Sequence, residues 1–222
     1  MSAFLGHIHY WLYSKILRVA EREQLLYEKA EALCGSTAEE LREQVWQIYG
    51  EPLPEVDLEQ LIDHTNIHGW LQRQVTIVET REAAFIKELM DQCGQGAKDA
   101  VKEGFAEHGK RCGEHAKSAG KYDADQAGGV YCALNGYLLN GMPCDQGDMV
   151  VTNEPGHLVW EGEVCLQERN WVKAGVDKAA MKEFYVLWTN GFVKALNPEL
   201  SYRQTGDTLK GDKTNRHEIV KG

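Results

Sequence analysis

The stretch Glu-His-Gly-Lys-Arg-Cys-Gly-Glu-His places His108, Cys112 and His115 at steps of four and three. On an α-helix these steps bring the three side chains to one face, with Cys112 turned about 40° from His108 and His115 about 20° the other way. Imidazole nitrogens and a thiolate suit a divalent metal ion such as Zn, Fe or Ni. They are also the parts of an activated thiol nucleophile and its base. His108–Cys112 and Cys112–His115 are each feasible chelating pairs, but His108 and His115 start about 10 Å apart along the axis, which hinders all three on one ion. Val101 and Phe105 share the sector, so the trio should turn inward, and a pocket wall or satisfied core polar groups are the plain alternative. Gly109 and Gly113 lie beside it, where another backbone or a ligand can come close.

Cys165 and His217 form a second candidate pair, reactive if the fold brings them together. Glu79 adjoins the apolar seam of a long helix, where an inward carboxylate can act as a general base or contact a substrate; an ion pair with Arg81 on a solvated face is the alternative. His7 and His9 splay apart on a helix and cannot chelate together. His64 and His68, with Asp63 beside them, have metal-ligand spacing but straddle a helix junction where polar residues cap.

Hydrophobic periodicity predicts helices over about 3–34, through Ile48, a short "LEQLIDH" helix after Asp57, about 67–93 and about 97–118. Ser36 or Thr37 can cap the second, Asp123 a helix through Leu139, and Asp177 a helix ended by Asn197-Pro198. The β-branched "VTIV" at 75–78 equally suits a strand. "MVVTNEPGHLVWEGEVCLQ" reads as strand, turn, strand, and 200–220 as two strands around a Gly-Asp turn. The expectation is an α+β fold: a helical region, 1–122, packed on an α+β, ligand-binding-like region, 123–222, in one compact unit.

Net charge is −10 over 222 residues, and no Lys/Arg cluster is written. That argues against nucleic acid. No apolar run is long enough to span a membrane, and the N-terminus lacks a secretory pattern, so a cytoplasmic location is expected. None of the six cysteines forms C-x-x-C, and reduced thiols are the expectation.

Residues 144–219 carry a Cys-Asp loop, a hairpin ending in Cys165, a helix, "NPEL", and then Arg203, Thr208-Leu209, Gly211-Asp212, Asn215 and Ile219. This order resembles the L-2-amino-thiazoline-4-carboxylic acid hydrolase-like proteins, related in layout to the small-molecule-binding domain of vinyl reductases. Asn215 departs from the pattern, standing where a cysteine is common. The resemblance implies hydrolysis of a C–N bond in a small heterocyclic carboxylate. Cys112, Cys165, His108, His115 and His217 are then the reactive pool, and Arg203 would hold the substrate carboxylate. A non-catalytic module for a small molecule, metal or tetrapyrrole is the alternative. A homodimer built on the aromatic first helix (Phe4, Tyr10, Trp11, Tyr13) is a third.

Overall fold

The computed structural model describes residues 5–145 and 147–222; Ala3 and Phe4 of the expected first helix lie outside them. The architecture is α+β, as the sequence predicts. The helices are α1 (His7–Cys34), α2 (Ser36–Tyr49), α3 (Leu58–Leu61), α4 (Ile67–Gln92), α5 (Ala97–Ala119) and α6 (Ala127–Tyr137). The hairpin β1 (Met149–Glu154) and β2 (His157–Gly162) follows, then α7 (Glu168–Ala174), α8 (Lys178–Leu196), β3 (Leu200–Gly206) and β4 (Asn215–Lys221). The four strands form one antiparallel sheet in the order β1-β2-β4-β3.

α1 and α4 lie side by side and parallel, with an almost constant sequence offset. His9 meets His68 and Cys34 meets Cys93, both 59 residues apart, while Arg22 meets Glu82 at 60 and Glu23 meets Arg81 at 58. Arg22 Nε and Nη2 donate to the two Glu82 oxygens at 2.6 and 2.7 Å. Arg81 Nε donates to Glu23 at 2.8 Å, and all four side chains are buried. Both guanidiniums are therefore paired, the condition under which a buried charge is tolerated. Cys34 and Cys93 form a disulfide at the far end, their Cα atoms 5.7 Å apart, which differs from the reduced thiols expected. Side-by-side packing of the two helices brings residues distant in sequence within bridging range.

α5 crosses α8 almost backbone to backbone. A Cβ at Gly109 would overlap the Trp188 carbonyl oxygen, and one at Gly191 the Ala106 carbonyl oxygen. Glycine is required there by proximity, not by a left-handed backbone. The larger apolar cluster runs from Leu26 through Phe105 and Trp188 to Ile219, and so takes residues from both sides of position 122.

One local expectation holds and others change. "VTIV" stays helical, because Val75 and Val78 are buried in the α4 seam and packing outweighs the β-branched preference. Gln126, not Asp123, precedes α6, and Gly35 precedes α2. α7 was not anticipated; its seven residues carry too short a pattern to signal a helix.

Candidate functional site

Strand alternation builds one wall of a cavity. The register sets Trp160 opposite His217 and His217 opposite Gln204, so these three form a row on one face of the sheet. That face looks toward α8, where Lys182, Tyr185, Val186 and Thr189 line the cavity at helical spacing. Cys165, Gln167 and Trp171 complete the lining with Asn140 and Asp148, and Gln167 Nε2 donates to Asn140 Oδ1 at 3.3 Å. The cavity volume is about 90 Å³. That is several times the ~10–15 Å³ one water requires.

His217 stacks on Trp160, ring centroids 5.1 Å apart, and its Nδ1 lies 2.8 Å from the Tyr202 hydroxyl. Burial, with the Lys182 charge nearby, lowers its pKa to about 4, so the ring is neutral at pH 7. The Cys165 thiol donates to Gln167 Oε1 at 3.3 Å, and burial pushes it up to about 11. Gln167 is anchored in turn, its Nε2 donating to the Leu139 carbonyl at 2.9 Å. Lys182 donates to Asp207 and, at 2.7 Å, to Asn215 Oδ1. Asn215 therefore holds a buried ammonium. Asp148 accepts from Asn140 Nδ2 at 2.7 Å, and burial raises its carboxyl to about 6. Gly162 makes room for that loop, since a Cβ there would crowd the Gly147 carbonyl and Asp148 Oδ1. Trp171 lines the wall, and its indole N–H is buried without a hydrogen-bond partner.

Of the predicted residues, Cys165 and His217 open into this cavity. His108, Cys112 and His115 do not line it. His108 and Cys112 are buried at the α5–α8 crossing, where Trp188 Nε1 donates to His108 Nδ1 at 2.8 Å and Cys112 Sγ lies 3.7 Å from the same nitrogen. Burial lowers His108 to about 4 and raises Cys112 to about 12. His115 is exposed and pairs with the Tyr137 hydroxyl. The trio therefore does not converge. Two helical turns separate its histidines, and only the first two of its side chains reach the core. Among the described residues, no group of three or more His, Cys, Asp or Glu side chains is set to hold a metal ion.

Arg203 also falls outside. It pairs across the sheet with Glu218, on the opposite face from Tyr202 and Gln204, and its side chain is 60% exposed. Period-two alternation turns it away from the cavity. Glu79 is buried behind the site: one oxygen accepts from Asn170 Nδ2 at 2.6 Å, the other has no partner, and burial raises the carboxyl to about 7. Arg81 pairs with Glu23 rather than with Glu79. His9 and His68 meet at 3.3 Å through their Nε2 atoms. The Gly6 N–H donates to His9 Nδ1, which places the His9 proton on Nε2 and makes this a hydrogen bond between rings, not a chelate. His64 bonds to the Glu59 carbonyl, and Asn66 caps α4.

Sequence reasoning missed Asp148, Lys182, Gln167 and the aromatic walls. One signal was present: Lys182, Tyr185 and Thr189 form a polar stripe beside the apolar Met181–Phe184–Trp188 seam of α8. No comparable pattern marks Asp148 or Gln167, which stand in loops. Comparison of the chain with protein-family models, with curated proteins and with solved structures finds no match.

Proposed function

We propose that the protein is a hydrolase-like enzyme acting on a C–N bond of a small heterocyclic carboxylate of the aminothiazoline type, bound in the cavity between the sheet and α8. The observation that carries this reading is the meeting of Cys165 and His217 in one partly enclosed, aromatic-walled space. Water is the nucleophile, because the thiol of Cys165 is protonated at neutral pH. Neutral His217 accepts a proton as water adds to the amidine-type carbon. The resulting imidazolium returns that proton to the ring nitrogen as the C–N bond breaks. Cys165 and Gln167 shape the wall.

A non-catalytic small-molecule-binding module is the second reading. It is favoured by the two opposed shifts at Cys165 and His217, which leave both groups uncharged and neither primed as a thiolate–imidazolium pair. Turnover of 2-amino-thiazoline-4-carboxylate and related cyclic amidines by wild type, His217→Gln and Cys165→Ala separates the two. The hydrolase reading expects turnover that falls at least ~100-fold in His217→Gln. Binding by wild type with no turnover leaves the second reading. An absorbance spectrum and metal analysis of the protein as purified test its tetrapyrrole and metal forms.

A further inference from the structure

We infer that the cavity selects its ligand by a positive charge, seating a small organic cation (a protonated amidine, guanidine or amine) on Asp148, and that a ligand carboxylate is dispensable. The inference rests on the cavity being the ligand site, and it identifies what the site reads. Two charged side chains line the space, and their states differ. Lys182 is already neutralised, because Asp207 is ion-paired to it and Asn215 accepts a second of its three protons. Asp148 has no cation within ion-pairing distance among the described residues, and its one hydrogen bond comes from the neutral amide of Asn140. The Lys15 ammonium is coupled to Asp148 only at longer range; it is buried on α1 and rests 3.8 Å above the Trp11 ring. The charge lining the cavity that has no direct ion-pair partner among the described residues is therefore negative.

The walls suit the same ligand. Trp160, Tyr185, Tyr202 and Trp171 offer aromatic surface, and aromatic faces attract desolvated cations. A planar amidinium can lie against such a face and still direct two N–H groups at a carboxylate. The side chain that would have recognised an anion, Arg203, lies on the far face of the sheet in an ion pair with Glu218.

Calorimetric titration with three compounds tests this: 2-amino-2-thiazoline (cation only), 2-amino-thiazoline-4-carboxylate (both groups) and thiazole-4-carboxylate (anion only). Wild type, Asp148→Asn and Arg203→Ala are compared. The expected result is that both amidines bind wild type within about tenfold of each other, and the anion at least tenfold more weakly. Asp148→Asn should lose tenfold or more for both amidines, and Arg203→Ala should leave all three affinities unchanged. Thiazole-4-carboxylate binding as tightly as the amidines overturns the inference on wild type alone, whatever the variants do. So does an Asp148→Asn protein with unchanged melting behaviour and unchanged amidine affinity, and so does failure of both amidines to bind. Amidine binding without turnover removes the hydrolase reading and leaves cation selection standing. Turnover of an amidine whose affinity ignores Asp148→Asn does the reverse.

Discussion

Two cysteine–histidine pairs occupy this molecule, and burial treats them alike. His108 and His217 are each lowered to about 4, while Cys112 and Cys165 are raised to about 12 and about 11. Their surroundings differ. The α5–α8 crossing around His108 and Cys112 is closed by glycine-mediated backbone contact and a Trp188 hydrogen bond, and neither side chain lines a cavity described for this protein. The space around Cys165 and His217 is open and is lined by a carboxylate, Asp148, that has no direct ion-pair partner among the described residues. Residue type and shifted acidity do not separate the two pairs. Free volume beside the side chains does.

That contrast can be broken at its dense end with the largest effect. Arg22→Ala leaves Glu82 buried without its partner in the helical layer beneath the crossing, and should cost about 3–5 kcal/mol in urea unfolding. Gly109→Ala pushes a methyl group into the Trp188 carbonyl and forces α5 and α8 apart, costing about 3 kcal/mol by the same measurement. Neither penalty is expected at the cavity wall.

Acidity sharpens the comparison. Glu79, raised to about 7, destabilises the folded state above its unfolded pKa near 4.5, so that cost is absent at low pH and complete above pH 7. Glu79→Gln should therefore gain up to about 3 kcal/mol relative to wild type between pH 4.5 and pH 8. The histidines run the other way. With folded pKa values depressed, the stability they contribute is present above pH 6.5 and is lost as pH falls through 4. His217→Gln should become progressively less unfavourable than wild type over that window, by up to about 3 kcal/mol. Paired chemical-denaturation series across pH read both slopes.

The smallest expected effect sets the two thiols side by side. Cys112→Ala removes a buried sulfur from tight packing and should cost about 1–2 kcal/mol. Cys165→Ala, beside existing free volume, should cost less than about 1 kcal/mol while changing ligand affinity. Equal losses in stability would mean that the two environments are not as different as described.

Much of the fold was legible because it is written locally. Apolar spacing announced the long helices, Asp177 capped α8 as its position suggests, and a strand–turn–strand reading matched the hairpin. α7 and the α6 boundary escaped because short segments carry few periods. The site was half legible. Cys165 and His217 could be named as a pair, but their meeting depends on a sheet register and a helix packing that join residues 52 positions apart. Arg203 shows how one position decides a role: its neighbours Tyr202 and Gln204 face the helices, and it faces away.

The chain alone determined which residues can carry charge, bind a proton or bury a ring, and which segments coil or extend, because those properties follow from side-chain chemistry and near neighbours. Only the tertiary structure decided which cysteine and histidine share an open space. It also decided which carboxylate is left without a direct ion-pair partner among the described residues and which cysteines pair. These outcomes depend on distances between segments far apart along the chain, and local spacing does not encode them.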